Sequence, residues 1–124
     1  MVHARFEHIT VKSASEQDAM RRTCELAREV VRFIRPHVAP GVTTGELDDL
    51  CREFILAHNA YPSPLNYPGA PTDPHEPVIS DGAFPRSICT SPNEVICHGI
   101  PGKYKLRNGD IVNLDITTTL QGWF

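Results

Sequence analysis

The sequence predicts an α+β fold in which two helices precede an antiparallel sheet. Three observations carry this: two capping boxes that each open an apolar helical series, strand-type runs confined to the C-terminal part, and the absence of strand–helix alternation or an internal repeat.

The first helix is expected over about 16–35. Ser15-Glu16-Gln17-Asp18 reads as a capping box, and Met20, Cys24, Ala27, Val31 and Ile34 recur in steps of four and three on one face. Pro36 disfavours helical backbone in the residue before it, which closes the element. After Pro40-Gly41, Thr43-Thr44-Gly45-Glu46 is a second capping box. Leu47, Leu50, Phe54 and Ala57 mark a second helix to about His58, with Asn59 as its left-handed terminator. Glu46, Asp48 and Asp49 in the first turn favour the helix dipole and are expected to form a solvated end.

Seven of the eleven prolines lie between Pro62 and Pro85, so no helix is expected there. Within that stretch residues 68–82 have no apolar period and read as a mobile loop insertion. Residues 88–90 and 95–97 are short strand signals separated by Pro92-Asn93, and Asn108-Gly109-Asp110 is a turn. The clearest strand is 111–120, with Val112, Leu114, Ile116 and Leu120 on one face and Asn113, Asp115, Thr117 and Thr119 on the other. Gln121-Gly122 reads as a two-residue hairpin turn. Counting outward from it, 120 faces 123, 119 faces 124, and 117 would face a position 126 beyond the last residue.

A chain of 124 residues suits one domain, here expected to be incomplete at its C-terminal end. Hydrophobic residues at 40% and charged residues at 22% exclude a wholly disordered chain. Twelve Lys and Arg against fifteen Asp and Glu leave no basic excess, so direct nucleic-acid binding is not expected. The longest apolar run, 54–57, is far short of the ~18 residues of a membrane span, and the N-terminus has no signal-type apolar core. The expectation is a soluble, cytoplasmic chain without a membrane partner. Cys24, Cys51, Cys89 and Cys97 form no C-x-x-C pair and are expected to be free, buried thiols.

Two residues carry candidate chemistry. Aspartate is depleted in strands, so Asp115 at mid-strand is either one residue of a wet sheet face or held for a purpose. A carboxylate at 126 would lie diagonal to it, at a spacing that one or two cations can bridge. His98 follows Cys97 directly, and neighbours in an extended chain point to opposite sides, so the two do not form a nucleophilic pair.

Asn93-Glu94-Val95-Ile96-Cys97-His98-Gly99-Ile100-Pro101 and Asn108-Gly109-Asp110-Ile111-Val112-Asn113-Leu114-Asp115-Ile116-Thr117 resemble the N-terminal half of the type I methionine aminopeptidases. Upstream, 40–48, 61–67 and 84–87 resemble the same family in the same order. The resemblance covers nearly all of the chain from Val11, departing at 68–82. It implies the first half of a pita-bread fold whose two-metal centre uses two Asp, one His and two Glu. Asp115 matches the first Asp, and the second would fall at 126. His98 matches a histidine that contacts substrate beside the scissile peptide, while Pro64, Tyr67, Phe84 and Cys89 match positions lining the methionine pocket.

The implied activity is removal of the initiator methionine from new proteins. N-terminal methionine peptides of nascent chains are the implied partners, with the ribosome an open one. Two divalent ions would polarise the peptide carbonyl, and manganese, iron, cobalt or zinc would each suit the ligands. Two alternatives stand beside this reading: a catalytically inactive short form that binds a partner, and a related proline dipeptidase, which the Cys-His-Gly-Ile-Pro setting of His98 disfavours.

Overall fold

The computed structural model describes residues 10–69, 73 and 81–124; most of the expected 68–82 insertion lies outside the described residues. Helix α1 spans Ala14–Ile34 and is capped by Ser13, not Ser15. The Ser13 hydroxyl accepts the Glu16 N–H at 3.4 Å, and the Glu16 carboxylate accepts the Ser13 N–H at 2.7 Å. A glutamate reaches back over this turn where the shorter Asp18 does not. A 3₁₀ turn, Arg35–His37, follows the helix.

The buried face of α1 is Thr23, Leu26, Val30 and Ile34. Ile34 is buried as expected, but the rest of this line lies one position from the expected one, and Cys24 and Val31 are exposed, Val31 by 50%. Apolar residues flank both lines, and Thr23 decides between them. Its hydroxyl donates to the carbonyls of Thr118 and Trp123, each at 3.1 Å, which draws that column inward.

Helix α2, Thr44–Ala57, has the expected Thr43–Glu46 capping box, and Asn59 follows it with φ 55°. Leu47 is buried, Leu50 and Phe54 pack against the core from partly buried positions, and Ala57 is exposed. Beside Leu47, the buried line runs through Thr44, Asp48, Cys51 and Ile55.

Asp48 is therefore not part of a solvated end: it is 1% exposed. Its Oδ1 accepts the N–H groups of Ser87 at 2.8 Å and Ile88 at 2.9 Å, while Arg86 stands 3.5 Å from Oδ2. Burial raises the Asp48 pKa, opposed by those two N–H groups and by Arg86. Asp48→Ala would leave two buried N–H groups unpaired, at about 1–3 kcal/mol each, so a loss of about 2–6 kcal/mol is expected on denaturant unfolding. A loss below about 0.5 kcal/mol, the range of an ordinary surface substitution, would show that the contact stabilises nothing.

Among the described residues four short strands follow: β1 (Tyr61–Pro62), β2 (Cys89–Pro92), β3 (Val112–Asp115) and β4 (Thr118–Thr119). They form two antiparallel pairs, β1 with β4 and β2 with β3. The expected strand 111–120 is thus broken at Ile116-Thr117, where the chain leaves β2 and takes up β1; the Thr117 carbonyl accepts the Ser63 N–H at 3.0 Å.

Residues 95–97 are not a strand but an exposed stretch after a turn. Asn93 is left-handed with φ 52°, and the Val95 N–H turns back onto the Pro92 carbonyl at 3.1 Å. The Gln121-Gly122 turn is as expected, with φ 52° and 82° and two Leu120–Trp123 backbone bonds of 2.8 and 3.0 Å.

The core lies between the helices and the strands. Leu26, Val30 and Ile34 of α1 meet Leu47, Cys51 and Ile55 of α2, closed by Ile88 and Leu106. Val112, Leu114, Ile116 and Leu120 pack against it as the alternation predicts. Among the described residues no helix is long and apolar enough to cross a membrane. All four cysteines are free, as expected, but only Cys51 and Cys89 are buried.

Candidate active site

The pairing of β2 with β3 sets Cys89 opposite Asp115. Directly opposed residues of an antiparallel pair share a face, so thiol and carboxylate lie on one side and Thr90 and Leu114 on the other. Asp115 is exposed and has no hydrogen bond or ion pair among the described residues, whereas Cys89 is buried. Burial first, and the Asp115 charge second, push the Cys89 thiol pKa up. At neutral pH it is a small, uncharged wall and not a thiolate. Cys51, pushed up to about 12 by burial and by Asp48, is likewise inert.

His98 sits on the loop joining β2 to β3. The loop base is closed by the Asn93 N–H to the Ile111 carbonyl at 2.8 Å and by the Ile111 N–H to Asn93 Oδ1 at 3.2 Å. Asp110 reinforces it, accepting from the Arg107 N–H at 2.8 Å, the Tyr104 hydroxyl at 3.0 Å and Asn93 Nδ2 at 3.1 Å. The Arg107 N–H and Asn93 hold the Asp110 pKa below its ordinary value.

Farther along, Gly99 docks on β2. A Cβ at Gly99 would overlap the Thr90 carbonyl oxygen. Gly99→Ala must therefore lift this loop off the strand, at a cost of about 1–3 kcal/mol for overpacking and with displacement of His98. Unchanged thermal unfolding of that variant would contradict the docking.

Two further elements complete the site. The Asn66 N–H donates to the Phe84 carbonyl and the Phe84 N–H to the Tyr67 carbonyl, both at 2.8 Å. These bonds hold Tyr67 and Phe84 side by side although 16 residues separate them in the sequence. Ser63 binds the Thr119 hydroxyl at 2.8 Å, which fixes the chain leading to Pro64 against the strand that follows Asp115.

The result is a cleft of about 550 Å³. Pro64, Tyr67, Phe84, Cys89, His98 and Asp115, drawn from separate stretches of sequence, all line it. Ser63, Ala83, Ile100, Thr117 and Phe124 also line it, of which the strand alternation singles out only Thr117 in advance. A second cleft of about 540 Å³, lined by Gly41 and 103–107, holds no imidazole, thiol or carboxylate among the described residues.

No group of three or more His, Cys, Asp or Glu capable of holding a metal ion occurs among the described residues. Asp115 nonetheless fits the part of one ligand, because it is exposed, unpartnered and directed by its strand position to the cleft.

Residues 18–124 match the model of metallopeptidase family M24. Over 118 residues the chain is 49% identical to a methionine aminopeptidase of Rickettsia prowazekii, covering 94% of this chain and 40% of that protein. It is 42% identical over 119 residues to methionine aminopeptidase 1 of Saccharomyces cerevisiae, covering 96% of this chain and 27% of that one. The crystal structure of the Rickettsia prowazekii enzyme superposes with a TM-score of 0.81 at 47% identity, over 94% of this chain and 41% of that one. The Thermotoga maritima enzyme gives 0.77 at 27% identity, over 93% and 41%. The chain spans less than half the length of these relatives, and its architecture is that of the N-terminal half of their pita-bread fold.

Proposed function

Because the chain belongs to metallopeptidase family M24, we propose that it forms the methionine-binding face, and contributes the first metal ligand, of an enzyme that removes the N-terminal methionine from newly made proteins. One observation carries this reading: six side chains from separate stretches of the sequence, five of them within the family-like motifs, line a single cleft. Its volume lies in the ordinary range for a small-ligand site.

Tyr67, Phe84, Pro64 and the uncharged Cys89 thiol offer aromatic and small apolar walls to a flexible thioether. The His98 imidazole hydrogen-bonds the substrate beside the scissile peptide and stabilises the charge that develops there. Asp115 holds one divalent cation, for which manganese, iron(II), cobalt and zinc are each suitable. When bound, such cations supply Lewis-acid polarisation of the carbonyl and a nucleophile at neutral pH. We place the protein in the cytosol with nascent chains as substrates; ribosome contact is tested by co-sedimentation, and recovery wholly in the supernatant excludes it.

The deciding experiment expresses the longest polypeptide of the reading frame and follows methionine release from Met-Gly-Met with added manganese or cobalt. Metal-dependent release is expected. Cleavage of Gly-Pro in place of Met-Gly-Met would favour a proline dipeptidase, and turnover of neither would leave a binding protein.

A further inference from the structure

His98 has φ 53°, a left-handed conformation uncommon for a residue with a side chain. Such a backbone persists where its surroundings over-determine it. Those surroundings are the two residues of β2 under the loop. The Gly99 carbonyl accepts the Thr90 N–H at 2.8 Å, and the Gly99 N–H, which belongs to the peptide joining His98 to Gly99, donates to the Ser91 hydroxyl at 3.1 Å. Ser91 is 4% exposed, pairs with Asn113 across the sheet and does not line the cleft. Its hydroxyl grips the peptide plane that sets ψ of His98, and with it the direction in which the imidazole leaves the backbone.

Resting on the role given above to His98, we infer that Ser91 is a positioning residue for His98, acting through the hydrogen bond from the Gly99 N–H to its hydroxyl. Ser91→Ala removes that acceptor and adds no bulk, so the His98–Gly99 peptide can rotate while β2 keeps its pairing with β3. The inference is specific to one neighbour: the effect passes through His98 or it does not exist.

A double-mutant cycle reads this directly. In the protein expressed from its full reading frame, Ser91→Ala is expected to lower kcat/KM for Met-Gly-Met about tenfold, the upper effect of one neutral hydrogen bond, chiefly in kcat. In a His98→Ala background the same change is expected to have no effect. Equal losses in both backgrounds, or no loss in the first, would overturn the inference. So would loss of cooperative unfolding in Ser91→Ala, which would assign Ser91 to the fold alone.

If His98→Ala itself leaves activity intact, or if there is no activity to lose, the functional reading fails separately. Ser91 is then judged by the His98 ring Cε1–H resonance, which is expected to move in Ser91→Ala while those of His37 and His58 stay. An unmoved resonance refutes the positioning.

Discussion

Asp115→Asn in the full-length protein is expected to abolish hydrolysis by removing a cation ligand while leaving the fold intact. The substitution preserves shape and strand pairing opposite Cys89, and an exposed side chain without partners contributes little to stability. The loss is electrostatic. An amide oxygen is a far weaker ligand for a divalent ion than a carboxylate, and carbonyl polarisation contributes several kcal/mol to the transition state, so a drop of about 10³-fold or more follows. Elemental analysis should report reduced metal content in parallel. A second readout needs no activity: in the chelator-stripped, metal-free protein the Asp115 charge helps to raise the Cys89 pKa, so alkylation of that thiol should begin at lower pH in the variant. Full metal occupancy with near-normal turnover would make Asp115 merely one residue of a wet sheet face.

What could be read in advance separates by the range of the interaction. The Thr43–Glu46 cap, the Asn59 terminator and the Gln121-Gly122 turn are decided within four residues, and each stands where expected. The carboxylate of Asp115 is conspicuous because a strand rarely carries one at its middle without cause. Asp48 looked like its neighbours in a polar first turn, since its partners Ser87 and Ile88 are 39 and 40 residues away. One local signal did exist: Asp48 shares a helical column with Thr44, Cys51 and Ile55, all of which prove buried. The rotation of α1 likewise hung on Thr23, whose carbonyl partners come from 95 and 100 residues later. Alternation over 111–120 was right about faces and silent about partners, so the switch from β2 to β1 at Ile116-Thr117 left no trace in the pattern. For the cleft, Asp115 stood out in the strand pattern by itself, whereas the roles of His98 and the apolar walls rested on ordered motifs. Ser63 and Ile100 lie inside those motifs but were assigned no role, and they line the cleft as well.

His98→Ala is expected to lower kcat/KM for Met-Gly-Met about 10²-fold with metal content unchanged, because the imidazole is assigned to the substrate's developing charge and not to a cation. Two effects could be confused in this variant. The position is left-handed, and alanine tolerates φ 53° less well than histidine, so part of any loss could come from the backbone. His98→Asn separates them: asparagine is at home in that conformation, which keeps the loop docked, yet its short amide cannot reach where the imidazole does. If the side chain acts chemically, both variants fall about equally while their unfolding midpoints differ; if the backbone is responsible, asparagine restores activity. Stability itself should change little in His98→Asn, since His98 is exposed. Metal loss that tracks the loss of activity in both variants would move His98 from substrate contact to cation ligand, and unchanged turnover in both would remove it from the active site altogether.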